Sequence, residues 1–501
     1  MSFLTNTRSA GVLLHVSSLP SEGGIGDLGP RALEFVDLLA TAGIRWWQWL
    51  PLNPPDASNS PYSATSAFAG NPYFISLEAL ATDGLLEKAE LSEAQAAAGN
   101  IDFARMKRRK WPLLLRAAER LLSRRGGALR KAFDQFCAEE SSWLNEYALF
   151  MALKAAHPGR SWTAWRRELV RREKGALITA RMELRERIDI ERALQFLFFR
   201  QLAALRQHAK TRGVRLMGDV PIYVAFESAD VWSNPHLFEL DRAYQPRAVA
   251  GVPPDVFSKT GQRWGNPLYD WNAMRSDGYA WWAARLRAAM EQADAIRIDH
   301  FRGLAGYWRI PASSKTAEQG KWVRGPGSSF LEAMRELLGD VPLVAEDLGL
   351  ITPDVIELRD EFHLPGMQIL QLAFAEPHGT DLPHNYVRNL IAYTGNHDND
   401  TTAGWFRKLP AKTRSHVLEY APEARRQPVK AMLRLVWASV AALAIAPMQD
   451  LLALHSRARM NFPGQDNGNW RWRVRAEHFN DHAFALIDDL NRTYFRQSDR
   501  K

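Results

Sequence analysis

A single cysteine, Cys137, stands among 501 residues. No intrachain disulfide can form, and no cysteine-based metal site is expected. The candidate histidines His300 and His397 lie on separate strand-like runs, far from any His-x3-His spacing of a metal site, so no metal and no other cofactor is expected. No apolar run approaches the length of about 18 residues that a membrane helix needs, which excludes a membrane-spanning helix. The stretch Gly11–Val16 is too short for the core of a secretory signal, and no small-residue cleavage site follows it. Internal repeats and low-complexity tracts are absent as well. The expectation is a soluble protein of the cytoplasm with no membrane partner.

What is present is ordinary in bulk. Hydrophobic residues make up 46% and charged residues 24%, as in common globular proteins. The length allows one large domain with insertions, or two to three smaller ones. The net charge of +8 is uneven. Residues 101–200 hold 23 Lys and Arg against 12 Asp and Glu, an excess of eleven, so the remainder of the chain is at −3. The run Lys107-Arg108-Arg109-Lys110 could bind nucleic acid. Leucines and alanines interleave with it at helical spacing, which favours a solvated helical face, and no nucleic-acid motif accompanies it. No nucleic-acid partner is expected.

Short apolar runs recur along the chain: Gly11–Val16, Trp46–Leu50, Arg215–Met217, Ala295–Ile298, Leu343–Ala345, Met367–Phe374, Ile391–Thr394 and Ala442–Ala446. Helix-like segments such as Arg31–Ala42, Tyr279–Gln292, Ser329–Leu338 and Lys430–Val440 separate several of them. Near-continuous apolar strands alternating with helices imply a buried parallel sheet. Eight such units predict an α/β fold of the (β/α)8 barrel type, one catalytic domain over residues 1–501, with its active site at the C-terminal strand ends. Residues 85–210, rich in Ala, Leu, Arg and Glu, read as a large helical insertion after the second strand. Residues 225–273 read as an inserted loop subdomain on the same face. Gly251–Asp255 running into Gly261–Pro267, and Asn461–Gly464 running into Asn469–Arg473, mix Gly and Pro with aromatics as loops over a site do.

Three motifs sit where strands end: Arg297-Ile298-Asp299-His300, Ala345-Glu346-Asp347-Leu348-Gly349, and Asn396-His397-Asp398. A retaining glycosidase needs a carboxylate nucleophile and a second carboxyl that acts as acid and then base, about 5–5.5 Å apart. Adjacent barrel strands can hold Asp299 and Glu346 so. Arg297, two residues before Asp299 on the same strand face, favours its ionised form. Anionic neighbours would raise the pKa of an acid at Glu346. Asp398 can stabilise an oxocarbenium-like state, and His397 can meet a sugar hydroxyl. Each residue taken singly is also readable as a cap, an ion-pair partner or a structural histidine. The three motifs together, in phase with the barrel, carry the reading.

These residues resemble the 4-α-glucanotransferases (amylomaltases, or disproportionating enzymes), glycoside hydrolase family 77 of the α-amylase clan. The resemblance spans nearly the whole chain. It includes Ser60-Pro61-Tyr62, Gly218–Ile222, Gly251–Asp255, Arg297–Gly303, Glu346–Gly349, His397–Thr401 and Asn469–Arg473. The run Gly261-Gln262-Arg263-Trp264-Gly265-Asn266-Pro267-Leu268-Tyr269 is the most particular to this family. The resemblance implies Asp299 as nucleophile, Glu346 as acid/base and Asp398 as transition-state stabiliser. It implies Arg297, His397 and a stacking Tyr62 around the transferred sugar, and Gln262, Trp264 and Asn266 on a loop over the glucan. Asp347 is similar to a residue that contacts acceptor hydroxyls, and Asp219 matches the clan's third-strand aspartate. The histidine that α-amylases place just after that aspartate is absent, since Tyr223-Val224-Ala225 stand there. Asn396 replaces an expected threonine. The implied activity is transfer of a 1,4-α-glucan segment to the 4-hydroxyl of glucose or a maltooligosaccharide through a covalent glycosyl-enzyme.

Gly24-Ile25-Gly26-Asp27-Leu28-Gly29 fits a dinucleotide-binding pattern. The segment Ser17–Glu22 intervenes between it and the first strand, so it reads as a loop leading to the helix at Arg31. Two other functions stay open at this level: a hydrolase or debranching enzyme of the same clan, and a non-catalytic glucan- or nucleic-acid-binding barrel.

Overall fold

The computed structural model describes residues 4–96, 98–123, 127–254, 258–375, 381–465 and 467–497. Asp255, part of the Gly251–Asp255 motif, lies outside them. Among the described residues are twelve strands: β1 (Ser9–Leu13), β2 (Trp46–Gln48), β3 (Arg215–Pro221), β4 (Ala248–Val252), β5 (Gln262–Pro267), β6 (Ala295–Asp299), β7 (Gly306–Pro311), β8 (Lys321–Arg324), β9 (Leu343–Ala345), β10 (Gly366–Ile369), β11 (Leu390–Tyr393) and β12 (Leu443–Pro447). Eight form one parallel sheet in the order β10-β11-β12-β1-β2-β3-β6-β9. The Ala345 N–H donates to the Pro365 carbonyl at 2.9 Å. That bond brings β9 against the entry to β10 and rounds the sheet into a (β/α)8 barrel.

The barrel strands are buried on both faces, which is why they read as apolar runs. β1 and β12 are buried at every position. Gly11 has no room for a side chain, since an added Cβ would lie 3.0 Å from both Ile445 Cγ1 and Trp46 Cβ. Its smallness lets the bulky β2 pack beside β1. The run Met367–Phe374 is not one strand. β10 ends at Ile369 and Leu370–Ala373 forms a helical turn, because apolarity alone does not distinguish a buried strand from a buried turn.

Between β2 and β3 the chain passes through helices Phe103–Ser123, Ala128–Glu139, Ser141–Ala156, Lys174–Glu183 and Arg185–Thr211. The first and third pack on the last. The expected solvated basic face holds for Arg108 but not for Lys110, whose side chain is wholly buried. β4, β5, β7 and β8 make a separate antiparallel sheet in the order β5-β4-β7-β8. Two of its strands come from residues 248–267 and two from 306–324, so much of what read as loop is strand. Gly251 permits the pairing, because a Cβ there would collide with the Gln262 carbonyl.

Register decides which strand ends meet. Asp219 lies opposite Arg297 and Pro221 opposite Asp299 across β3 and β6. Ile298 lies opposite Ala345 across β6 and β9. The C-terminal ends of these three strands therefore stand side by side.

Candidate active site

Arg297 is the centre of the first group. Its Nη1 donates to both Asp219 oxygens at 2.8 and 2.7 Å, and its Nη2 lies 2.8 Å from Asp299 Oδ1. Register explains both contacts: Asp219 is directly across the sheet, and Asp299 is two residues along the same face. Tyr62, from the loop after β2, donates its hydroxyl to Asp219 Oδ2 at 2.8 Å. Burial, together with the Asp219 charge, pushes that hydroxyl well above the ordinary tyrosine range, so it stays protonated. Burial alone would lower Arg297; Asp219 and Asp299 instead hold it above the usual arginine value.

Glu346 joins this group through the backbone beyond Asp299. His300 is left-handed, with φ 53°, and this turns its N–H onto Glu346 Oε2 at 2.7 Å. The Leu348 N–H donates to Oε1 at 3.1 Å, and the Glu346 N–H donates to the Ile298 carbonyl at 3.1 Å. Burial raises the Glu346 carboxyl, opposed by Arg297 and the His300 N–H. Asp299 goes further. Burial pushes it up to about 8, with Asp219, Glu346 and Asp398 adding to the shift and Arg297 opposing it. The expected ion pair with Arg297 is present, yet burial and three carboxylates outweigh it. Both carboxyls are thus raised above their ordinary values, with burial the larger cause in each.

The third group lies across the mouth, after β11. Asp398 accepts from Asn461 Nδ2 at 2.6 Å, and its side chain remains 45% exposed, open to the cleft. His397 Nε2 stands 3.5 Å from Asp398 Oδ2. Burial lowers the His397 pKa, so its ring is neutral at pH 7. The ring stacks on Tyr62 with centroids 5.1 Å apart and planes 14° from parallel. Trp470 closes the wall, 6.0 Å from each ring. Asn461 and Trp470 were not singled out from the sequence. Both lie in the Gly-, Pro- and aromatic-rich run 461–473, and Trp470 also lies in the Asn469–Arg473 stretch of the family resemblance.

The small sheet supplies the opposite side. Trp264 on β5 is 39% exposed and meets the His300 ring edge-on at 4.8 Å. Its indole N–H donates to Gln262 Oε1 at 3.1 Å. Asn266 donates to the Val224 carbonyl at 2.9 Å, which ties β5 to the chain following β3. Asp347 is not drawn into the carboxylate group. Its oxygens accept from Arg359 Nη1 at 2.5 Å and from the Met367 N–H at 2.7 Å. Glu346 and Asp347 are consecutive at a strand end and point to different sides. Among the described residues no group of three or more His, Cys, Asp or Glu is placed to hold a metal.

Carboxylates gathered around one arginine at the C-terminal mouth of a parallel barrel, walled by Tyr62, His397, Trp470 and Trp264, define a class: a (β/α)8-barrel carbohydrate-active enzyme. The comparisons narrow it. The family model for 4-α-glucanotransferases matches residues 14–478. A 4-α-glucanotransferase of Thermus thermophilus is 45% identical over 476 residues, covering 93% of this chain and 95% of that one. The chloroplastic/amyloplastic enzyme of Solanum tuberosum is 43% identical over 500 residues, covering 98% and 86%. The structure of Streptococcus agalactiae amylomaltase, in complex with acarbose, superposes with a TM-score of 0.94 at 36% identity, covering 98% of this chain and all of that one. This chain belongs to the 4-α-glucanotransferase family, and it is a transferase enzyme.

Proposed function

We propose that the enzyme moves a segment of a 1,4-α-glucan to the 4-hydroxyl of glucose or a maltooligosaccharide by retaining double displacement, with Asp299 as nucleophile, Glu346 as acid/base and Asp398 as stabiliser. The observation that carries this reading is the Arg297-centred group, in which Asp299 is held by a guanidinium while Glu346 is tied to the next residue's N–H. In the first step Asp299 attacks the anomeric carbon as Glu346 protonates the departing glycosidic oxygen. In the second, Glu346 removes the proton of the acceptor 4-hydroxyl as that oxygen displaces Asp299. The cycle needs its proton on Glu346 at the start and again at the end, and burial favours that protonated carboxyl. Asp398, beside neutral His397, faces the positive charge that develops on the sugar ring. Tyr62 offers an aromatic face to the sugar, and its bond to Asp219 fixes that face. Gln262 and Trp264 lie along the glucan and help exclude water. Asp347 contacts acceptor hydroxyls, with Arg359 and the Met367 N–H holding its carboxylate in place. The single cysteine, Cys137, fits the reducing cytoplasm as the enzyme's location.

Maltotriose alone tests this. The expected products are glucose and a ladder of longer maltooligosaccharides, with total reducing ends constant. Asp299→Asn is expected to lose transfer by roughly a thousandfold or more. Rising reducing ends with only shorter sugars would mean hydrolysis, and a near-normal Asp299→Asn enzyme would remove the nucleophile assignment.

A further inference from the structure

The basic run Lys107–Lys110 has no part in the chemistry above, yet two of its four side chains reach the loops of the catalytic face. Lys107 Nζ donates to Asn59 Oδ1 at 2.8 Å. Asn59 is left-handed, with φ 61°, at the tip of the Pro54–Thr65 loop that carries Tyr62. That loop is closed by the Asp56 N–H on the Ser63 carbonyl at 2.8 Å and by the Thr65 N–H on the Pro54 carbonyl at 2.8 Å. Lys107 thus holds the free end of a short hairpin whose other arm presents Tyr62 to His397.

Lys110, one helical turn further, reaches a second loop. Its Nζ is 3.5 Å from Asp27 Oδ2. Asp27 also accepts from the Ser21 hydroxyl and the Gly29 N–H. The Ser21 carbonyl accepts from Arg473 Nη1 at 2.9 Å, and Arg473 Nε donates to the Gly99 carbonyl at 2.8 Å. The Ile101 N–H donates to the Arg471 carbonyl at 2.7 Å. Residues 99–110 therefore grip the segment directly after Trp470 as well as the tip of the Tyr62 loop. Tyr62 and Trp470 are the two rings that flank His397.

We propose that the helix Phe103–Ser123, with residues 99–102 that lead into it, is a clamp on the sugar-binding aromatic wall, with Lys107 as a positioning residue that acts through Asn59 on Tyr62. This rests on the reading of Tyr62 as a sugar contact. A flexible loop carrying Tyr62 would let the ring leave His397 and give up the preorganised face, a loss in the transition state more than in ground-state affinity. Lys110 is unsuited to the test, because its removal leaves Asp27 partly buried and unpaired, and stability falls with it.

The test compares Lys107→Met, Lys107→Arg, Arg108→Met and Tyr62→Ala for disproportionation of maltotriose, with thermal midpoints recorded for each. Lys107→Met is expected to lose about tenfold in kcat with KM changed less than twofold and the thermal midpoint nearly unmoved. Lys107→Arg, which keeps a donor over Asn59, is expected to recover most of that loss. Arg108→Met, on an exposed residue, is expected to match the parent enzyme. Normal kcat in Lys107→Met beside an impaired Tyr62→Ala would overturn the clamp alone. Normal kcat in both would overturn the reading of Tyr62 on which it rests. Salt-sensitive binding of duplex DNA that disappears in Lys107→Met, with kcat unchanged, would instead assign the run to nucleic acid.

Discussion

At the scale of single residues, Asp299 shows how burial and charge compete. One guanidinium touches it, while three carboxylates and a largely desolvated setting act the other way, and its pKa rises to about 8. A carboxyl whose folded pKa lies above its ordinary value of 3.8 binds more protons in the folded than in the unfolded state. Stability from this group is therefore complete at low pH and is lost as pH rises through about 8. Asp299→Asn removes the charge without removing bulk. The variant is expected to match the parent's thermal midpoint at pH 4 and exceed it at pH 9. The gain is on the order of 1–3 kcal/mol, or roughly 1 °C per kcal/mol for a chain this long. Thermal melts of the two proteins at both pH values check this, and a variant less stable than the parent at pH 9 would show that the Arg297 ion pair outweighs burial.

Among the elements, β5 bears three of the residues proposed to meet the glucan. It carries Gln262, Trp264 and Asn266, and it stays in place because β4 and β7 pair beneath it and Asn266 pins it to Val224. Trp264 stands half-open over the His300 ring, next to the backbone N–H that Glu346 accepts. On the proposed mechanism, an aromatic there would keep water from the second step while an acceptor sugar could still stack. Trp264→Ala is expected to raise the ratio of hydrolysis to transfer several-fold as overall turnover falls. New reducing ends counted against longer oligosaccharides measure it, and an unchanged ratio would take Trp264 out of water exclusion.

For the molecule as a whole, stability and chemistry lie at opposite ends of the barrel. At the N-terminal end of β1 and β12, the fully buried Arg496 donates to the carbonyls of Trp437, Ser9, Ala442, Ser439 and Ala441. The C-terminal segment thereby staples the first barrel strand to the last. Nearby, Asn491 accepts from the Trp437 indole and donates to the Ala42 carbonyl. Arg496→Met removes these bonds, leaving the Trp437 and Ser439 carbonyls to Arg8 and the Ala442 carbonyl to the Ser9 N–H, and is expected to cost roughly 2–5 kcal/mol, seen as a lower thermal midpoint. Its maltotriose activity at low temperature should stay near the parent's, since the bottom of such a barrel serves stability and the top serves chemistry. A variant with its midpoint intact would mean water replaces the guanidinium.

Much of the barrel was legible in the sequence because a strand covered on both faces must be apolar throughout, and that pattern survives without knowledge of its neighbours. The Asp299, Glu346 and Asp398 motifs were legible for a related reason: an ionisable group straight after such a run marks a strand end. Tertiary structure alone decided the rest. Glu346 and Asp347 are adjacent and alike, and only the position of Arg359 and β10 draws one carboxylate away from the cluster. β4 and β5 looked like loops because the strands that complete their ladder lie some forty residues or more downstream. Asn461 and Trp470 entered the site from a loop whose composition hinted at function without naming a residue. Lys110 looked like a surface charge and is buried against Asp27. Local pattern records how each segment meets water, whereas proximity between distant segments is set by register and closure of the sheet, which no single segment encodes.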